Sequence, residues 1–198
     1  AQRAFVEDAR SFARERVAPR AAALDASDVF PRELVAEAAA LGLMGVTIPK
    51  ALGGAGRDYL SYALAIEAVA NASATLAVIL TVNNSLVAEP LLEFGTDAQK
   101  EQWLPKLASG RAIGAFALSE AAAGSDAANQ KTVARFDERH YVLNGEKVWV
   151  ANAEAADVAV VFAATEPAAE RRLLEALGCV PDHIPAIIAL ARCPQPRG

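Results

Sequence analysis

From Phe5 to Val17 the positions Phe5, Ala9, Phe12, Ala13 and Val17 recur every three or four residues, the spacing that lays one apolar stripe along a helix. Pro19 stands just beyond and sets the expected end. A second helix is expected to begin at Pro31, whose fixed φ suits a first turn, and to bury a Leu34, Val35, Ala38, Leu41 face before Gly42, which can take a left-handed cap. The stretch GVTIPKALGGAGRD then reads as a loop joining helices, because Pro49 and the glycines permit geometry that other residues resist. Three more helices are expected, over Tyr59 to Val69, Ala74 to Phe94 and Ala98 to Leu107, the last opened by Thr96 or Asp97 as N-cap. Gly95 and Gly110 punctuate them.

Beyond Gly110 the period changes. AIGAFALSE is short and apolar, KTVARFD and HYVLNGEKVWV alternate with a period nearer two, and DVAVVFAAT reads as a buried strand, with Asn144-Gly145 as a tight-turn signal. The pattern predicts an α+β chain, an N-terminal all-α helical bundle followed by an incomplete antiparallel β domain. The expected division is residues 1–110 for the helical domain, 111–167 for the β domain and 168–198 for a divergent tail. In that tail Leu173, Leu174 and Leu177 could form a short helix, while Pro181, Pro185, Pro194 and Pro196 preclude a long one.

Composition narrows the function classes. A net charge of −5 and a pI near 5.1 supply no basic face for nucleic acid. The longest apolar run, Ala74 to Val82, falls short of the roughly 18 residues that suggest a membrane span, so it is expected to be a core helix. The N-terminus mixes acids with arginines and does not read as a secretory signal, and Cys179 and Cys193 do not form a disulfide framework, so a reducing, cytoplasmic setting is expected. His140 and His183 are far apart and without acidic ligand spacing, so no metal site is expected, and His140 is placed at a strand edge beside the Asn-Gly turn. Asn71-Ala-Ser and Asn83-Asn-Ser are read as chance matches to a glycosylation pattern. Gly53-Gly54-Ala55-Gly56 lacks the spacing of a dinucleotide fingerprint, and Lys131-Thr132 lacks the glycine that a P-loop places before its lysine.

Four strings in order carry a more specific signal: LGVTIP with the following LGG, FGTDAQKEQWLPKLASG, ALSE with Gly124-Ser125-Asp126, and LNGEKVWVAN. Together they resemble the acyl-CoA dehydrogenase family over about residues 5–167. Taken singly, Trp149 reads as core packing and Gly124-Ser125-Asp126 as an ordinary turn. What the resemblance implies is FAD-dependent α,β-dehydrogenation of an acyl-CoA thioester, in which the flavin carries the redox chemistry and the protein supplies orientation and electrostatics. It implies that Phe116, Leu118 and Ser119 lie along the isoalloxazine edge, that Gly124 and Ser125 meet the pyrophosphate, and that Trp149 packs against the flavin, with Ala151 beside it. An acyl-CoA partner and a homo-oligomer are also implied.

Two departures from the family pattern stand out. Ala151 replaces the usual Thr or Ser after the Trp-x pair, removing a flavin hydrogen bond worth on the order of 1 kcal/mol. Ala121 replaces a proline and is expected to leave its loop less rigid. No catalytic base can be carried over, since the family's glutamate lies in a C-terminal region without a counterpart here. Glu67, Glu93, Glu120 and Glu146 are read as solvated or structural acids. The chain is therefore expected to be inactive alone, with a non-enzymatic helical interaction module as the rival reading. Leu76, Val78, Ile79 and Leu80 could wall an acyl pocket, but read first as bundle core.

Overall fold

The computed structural model describes residues 2–27, 29–138 and 140–165, together with the backbone strand 186–192. Cys179, His183, Cys193 and the expected tail helix lie outside the described residues.

The apolar stripe of the N-terminus forms α1 (Gln2–Phe12), which buries Phe5, Val6, Ala9 and Phe12. The chain does not stop at Pro19. It continues through a π turn, Ala13–Val17, and a 3-10 turn, Ala18–Arg20, into α2 (Ala21–Ala26). A second π segment, Val82–Ala88, joins α5 (Ala74–Thr81) to α6 (Glu89–Phe94), so that residues 74–94 form one helical run. Both widened turns stand just before a proline, Pro19 or Pro90. A proline ring collides with the carbonyl four residues back and offers no N–H, and the wider turn relieves that conflict without ending the helix.

The predicted caps form. α3 (Arg32–Ala40) ends where Gly42, at φ +78°, donates to the Ala39 carbonyl and Leu43 donates to that of Ala38, the paired bonds of a Schellman motif. α7 (Asp97–Ala108) is capped by Thr96, in a reciprocal box with Gln99 that was not among the expectations, and α4 (Tyr59–Ala72) by Asp58, which was likewise outside them. Arg16 and Arg20 converge on Glu37, which ties the end of the first helical segment to α3.

The run Ala74–Phe94 is long and apolar enough to cross a membrane by length and composition. It instead forms the centre of the bundle, with Leu76, Ile79, Leu80, Val87 and Leu91 buried. Its π segment carries Asn83 and Asn84, both fully enclosed. Asn84 donates to the Leu43 and Leu80 carbonyls and accepts from the Val46 N–H at 2.9 Å. Asn83 donates to Met44 and Leu107 carbonyls and accepts from Gly114 N–H. These amides satisfy the backbone of the irregular loop after α3, which could not otherwise be buried. Enclosure also withdraws Asn83 from any glycosylation.

The sheet is mixed, not antiparallel. The central strand β4 (Val158–Ala164) pairs in parallel with β1 (Gly114–Ala117) along its first half and touches β2 (Val133–Phe136) in parallel at Ala164. Its other edge is covered by β5 (Ala186–Arg192) in antiparallel register, and β3 (Tyr141–Asn144) pairs antiparallel outside β2. Period-two alternation reports which face a residue occupies but not strand direction. A nearly continuous apolar run such as β4's is what burial on both faces selects. The strand Ala186–Arg192 lies within the stretch expected to be a divergent tail.

The β2–β3 hairpin turns through Asp137 and His140, where Asp137 N–H donates to the His140 carbonyl, rather than at Asn144-Gly145. Gly145 is required for a different reason: a Cβ there would stand 2.6 Å from the Thr132 backbone. His140 accordingly precedes β3 and pairs with Asp137 at the far end from the Asn-Gly pair. Sheet and bundle share a core in which Ile48, Val87, Leu91, Leu104 and Leu107 meet Val158 and Val160. β1 lies so close that a side chain on Gly114 would strike Val87 at 2.7 Å.

Candidate functional site

β1 emerges from this shared core and ends at Ala117, leaving Leu118 and Ser119 half-buried beyond it. The segment 147–152 lies beside it, held at both ends. Val148 N–H donates to the Ser119 carbonyl at 2.9 Å, Lys147 Nζ to the Leu118 carbonyl at 2.8 Å, and Asn152 Nδ2 to the Gly114 carbonyl at 3.1 Å. The fold therefore brings Phe116, Leu118 and Ser119 alongside Trp149 and Ala151, residues some thirty positions apart in the chain. Phe116 and Ala151 back onto the core shared by bundle and sheet, and Phe116 meets Phe162 edge-on with ring centroids 5.2 Å apart.

Trp149 does not lie in a strand and is not core. It sits in a turn at φ +57° with 95% of its surface exposed. Asn152, three residues on, is also left-handed, at φ +65°. Asn tolerates that region, whereas a bulky tryptophan there is strained and has no packing among the described residues to offset it. Strain of this kind persists where the surroundings over-determine the backbone, and it clusters at ligand sites.

Gly124 and Ser125 occupy the exposed loop after β1. The loop is closed by reciprocal backbone bonds between Glu120 and Ala123, at 3.0 and 3.1 Å, so the turn forms without a proline at Ala121. A Cβ built on Gly124 meets nothing within 4 Å. Among the described residues no neighbour demands a glycine there.

Beneath these surface groups lies an ion pair. Glu120 and Lys147 side chains are 7% and 8% exposed, with Nζ 2.9 Å from Oε1. Glu120 also accepts from the Lys131 and Thr132 N–H groups, and Lys147 donates to Gln130. Burial pushes the Glu120 carboxyl up, but hydrogen bonds from Thr132, Lys131 and Lys147 outweigh it and hold the pKa at about 2. Glu120 is therefore a structural anion. Glu67, Glu93 and Glu146 are exposed.

A groove of about 720 Å³ opens next to Ala151, between Val29, Phe30 and Pro31 on one side, Val78 and Ile79 of α5 on another, and the turn 150–155. Of the four residues considered as an apolar wall, Leu76, Ile79 and Leu80 are buried in the bundle, while Val78 is half exposed and faces the groove. Glu154, an exposed acid, also lines it. Sequence reasoning missed Lys147, Glu154 and the contribution of Val29 and Phe30. Lys147 sits inside a motif string, but its partner is 27 positions earlier, and no spacing rule announces such a pair.

A helical bundle packed on a mixed sheet, with a tryptophan-bearing turn clamped along the first strand, is an architecture found in known proteins. The N-terminal domain model of acyl-CoA dehydrogenases matches residues 1–111, and the middle domain model matches residues 115–182. The chain belongs to the acyl-CoA dehydrogenase family. It is 43% identical over 172 residues to the human mitochondrial short-chain specific acyl-CoA dehydrogenase, covering 87% of this chain and 42% of that protein. Butyryl-CoA dehydrogenase from Megasphaera elsdenii superposes with a TM-score of 0.79 at 39% identity, covering 84% of this chain and 44% of that one. A glutaryl-CoA dehydrogenase from Mycobacterium smegmatis, solved in complex with FADH2, gives 0.80 at 35%, covering 83% of this chain and 42% of that one. The chain thus spans about two fifths of the length of these relatives.

Proposed function

We propose that this chain carries one face of an FAD site, and that the activity it serves is α,β-dehydrogenation of an acyl-CoA thioester by the longer family protein. The observation that carries this reading is Trp149: a tryptophan almost wholly exposed, held in a strained turn, and pinned on either side to β1. The groups around it suit a flavin. An indole offers a flat apolar face to a flat ring, β1 and Ser119 offer polar groups along its edge, and the open side of Gly124 leaves room beside Ser125 for an anionic oxygen. A bound flavin would accept the hydride, and the protein's part is to hold it and the thioester in register. The groove beside Ala151, lined by Val29, Phe30, Val78 and Ile79, suits an apolar acyl chain.

The proposed division is residues 1–110 for the helical domain, 111–167 for the partial flavin domain and 168–198 for a tail, of which the strand Ala186–Arg192 joins the sheet of that domain. The 198-residue chain is inactive by itself in this account. Glu120 is committed to Lys147, and Glu67, Glu93 and Glu146 face solvent, so none of the four supplies a base. The test is turnover by the purified chain supplied with FAD, a short-chain acyl-CoA and an artificial electron acceptor. No turnover is expected. Turnover abolished by Glu154→Gln would replace the inactivity reading with one in which the groove's own acid is the base.

A further inference from the structure

The Lys147–Glu120 pair poses an energetic question that the flavin reading alone does not answer. Burying two charges costs several kcal/mol of solvation, and an apolar pair of similar volume commonly stabilises a fold as well or better. What an apolar pair cannot supply is direction. All three donors of the Lys147 ammonium are used, toward the Leu118 carbonyl at 2.8 Å, Glu120 Oε1 at 2.9 Å and Gln130 Oε1 at 3.2 Å. Glu120 in turn receives the Lys131 and Thr132 N–H groups at 2.6 and 2.8 Å. The bonds join three stretches of irregular backbone: the end of β1, the approach to β2, and the two residues before Trp149. The β2–β3 ladder ends at Val133 and Asn144, beside the second and third of these stretches, and β1 pairs with neither strand of it.

We propose that Lys147 and Glu120 are positioning residues that lock the end of β1 to the Trp149 turn, so that the strand edge and the indole form one rigid ledge for the ligand. The ledge's ligand is the flavin of the preceding reading, and the proposal rests on it; the locking itself does not. Val148 N–H reports on the lock directly, since its bond to the Ser119 carbonyl exists only while the turn is seated on β1.

The pair's two roles separate in a double variant. Lys147→Met with Glu120→Leu removes both charges and leaves no buried ion unpaired. Because Glu120→Leu also strands the Lys131 and Thr132 N–H groups, the melting temperature of the double variant is read against that of Lys147→Met; a pair that only stabilises would leave Val148 amide exchange and FAD affinity at the wild-type values. A positioning pair predicts a split, with the melting temperature recovered relative to Lys147→Met alone, Val148 exchange at least tenfold faster than wild type, and FAD bound at least tenfold more weakly. Lys147→Arg provides a second variant that keeps the charge. Its planar fork cannot aim three donors at acceptors converging on one point, so exchange at Val148 should rise at least threefold. Wild-type exchange at Val148 in both variants overturns the proposal. Failure of the wild-type chain to bind FAD would overturn the flavin reading instead, and the exchange measurements would still decide whether the lock exists.

Discussion

The helical bundle and the ledge along β1 treat their irregular backbone in opposite ways. In the bundle, the loop after α3 is enclosed, and its Leu43 and Met44 carbonyls and Val46 N–H are met from within by Asn83 and Asn84 on the widened turn of the central helix. On the ledge, the 147–152 turn is anchored by bonds to β1, yet its largest side chain, Trp149, is almost wholly exposed. Polar groups buried in the bundle stabilise a fold, whereas the apolar group exposed on the ledge contributes nothing to it. In the proposed account the difference separates an irregular segment that is architecture from one that serves a ligand.

The comparison can be broken most severely in the bundle. Asn84→Leu strands the carbonyls of Leu43 and Leu80 and the N–H of Val46, and chemical denaturation should show a loss of about 4 kcal/mol. Next in size is the acid sensitivity of the ledge's anchor. With its pKa held at about 2 against an ordinary 4.5, Glu120 contributes stability that is fully present above about pH 4.5 and is lost as the pH falls toward 2. The loss is on the order of 3 kcal/mol, and denaturation curves between pH 6 and 2 should be flatter in Glu120→Gln than in wild type. Thr96→Ala removes one half of the capping box of α7 and should cost about 1 kcal/mol. At the small end, Trp149→Ala should change stability by less than about 0.5 kcal/mol, an unusual outcome for a tryptophan and the sharpest statement of the contrast.

The sequence made the local features legible because their causes are local. Gly42 and Thr96 act within one helical turn of themselves, and the caps formed as their spacing predicts. The 74–94 helix was readable from its apolar face, but not its π turn, whose purpose is visible only when the loop at Leu43 to Val46 is laid beside it. On the ledge the hydropathic pattern points the wrong way. Lys147 reads as a solvated position and is buried, and Trp149 reads as core and is exposed, because a partner 27 residues away captures the lysine. Family motifs located Trp149, Ser119 and Gly124 where residue patterning alone would have assigned them to core, strand end and turn. The side on which they lie had to come from the fold.

The most direct measurement is titration of the purified 198-residue chain with FAD, followed by flavin absorbance and fluorescence, in wild type and in Trp149→Ala. The account predicts saturable binding with quenched flavin fluorescence in wild type, at least tenfold weaker binding in the variant, and equal thermal stability of the two. Absence of saturable binding, or equal FAD affinity in wild type and variant, would contradict it.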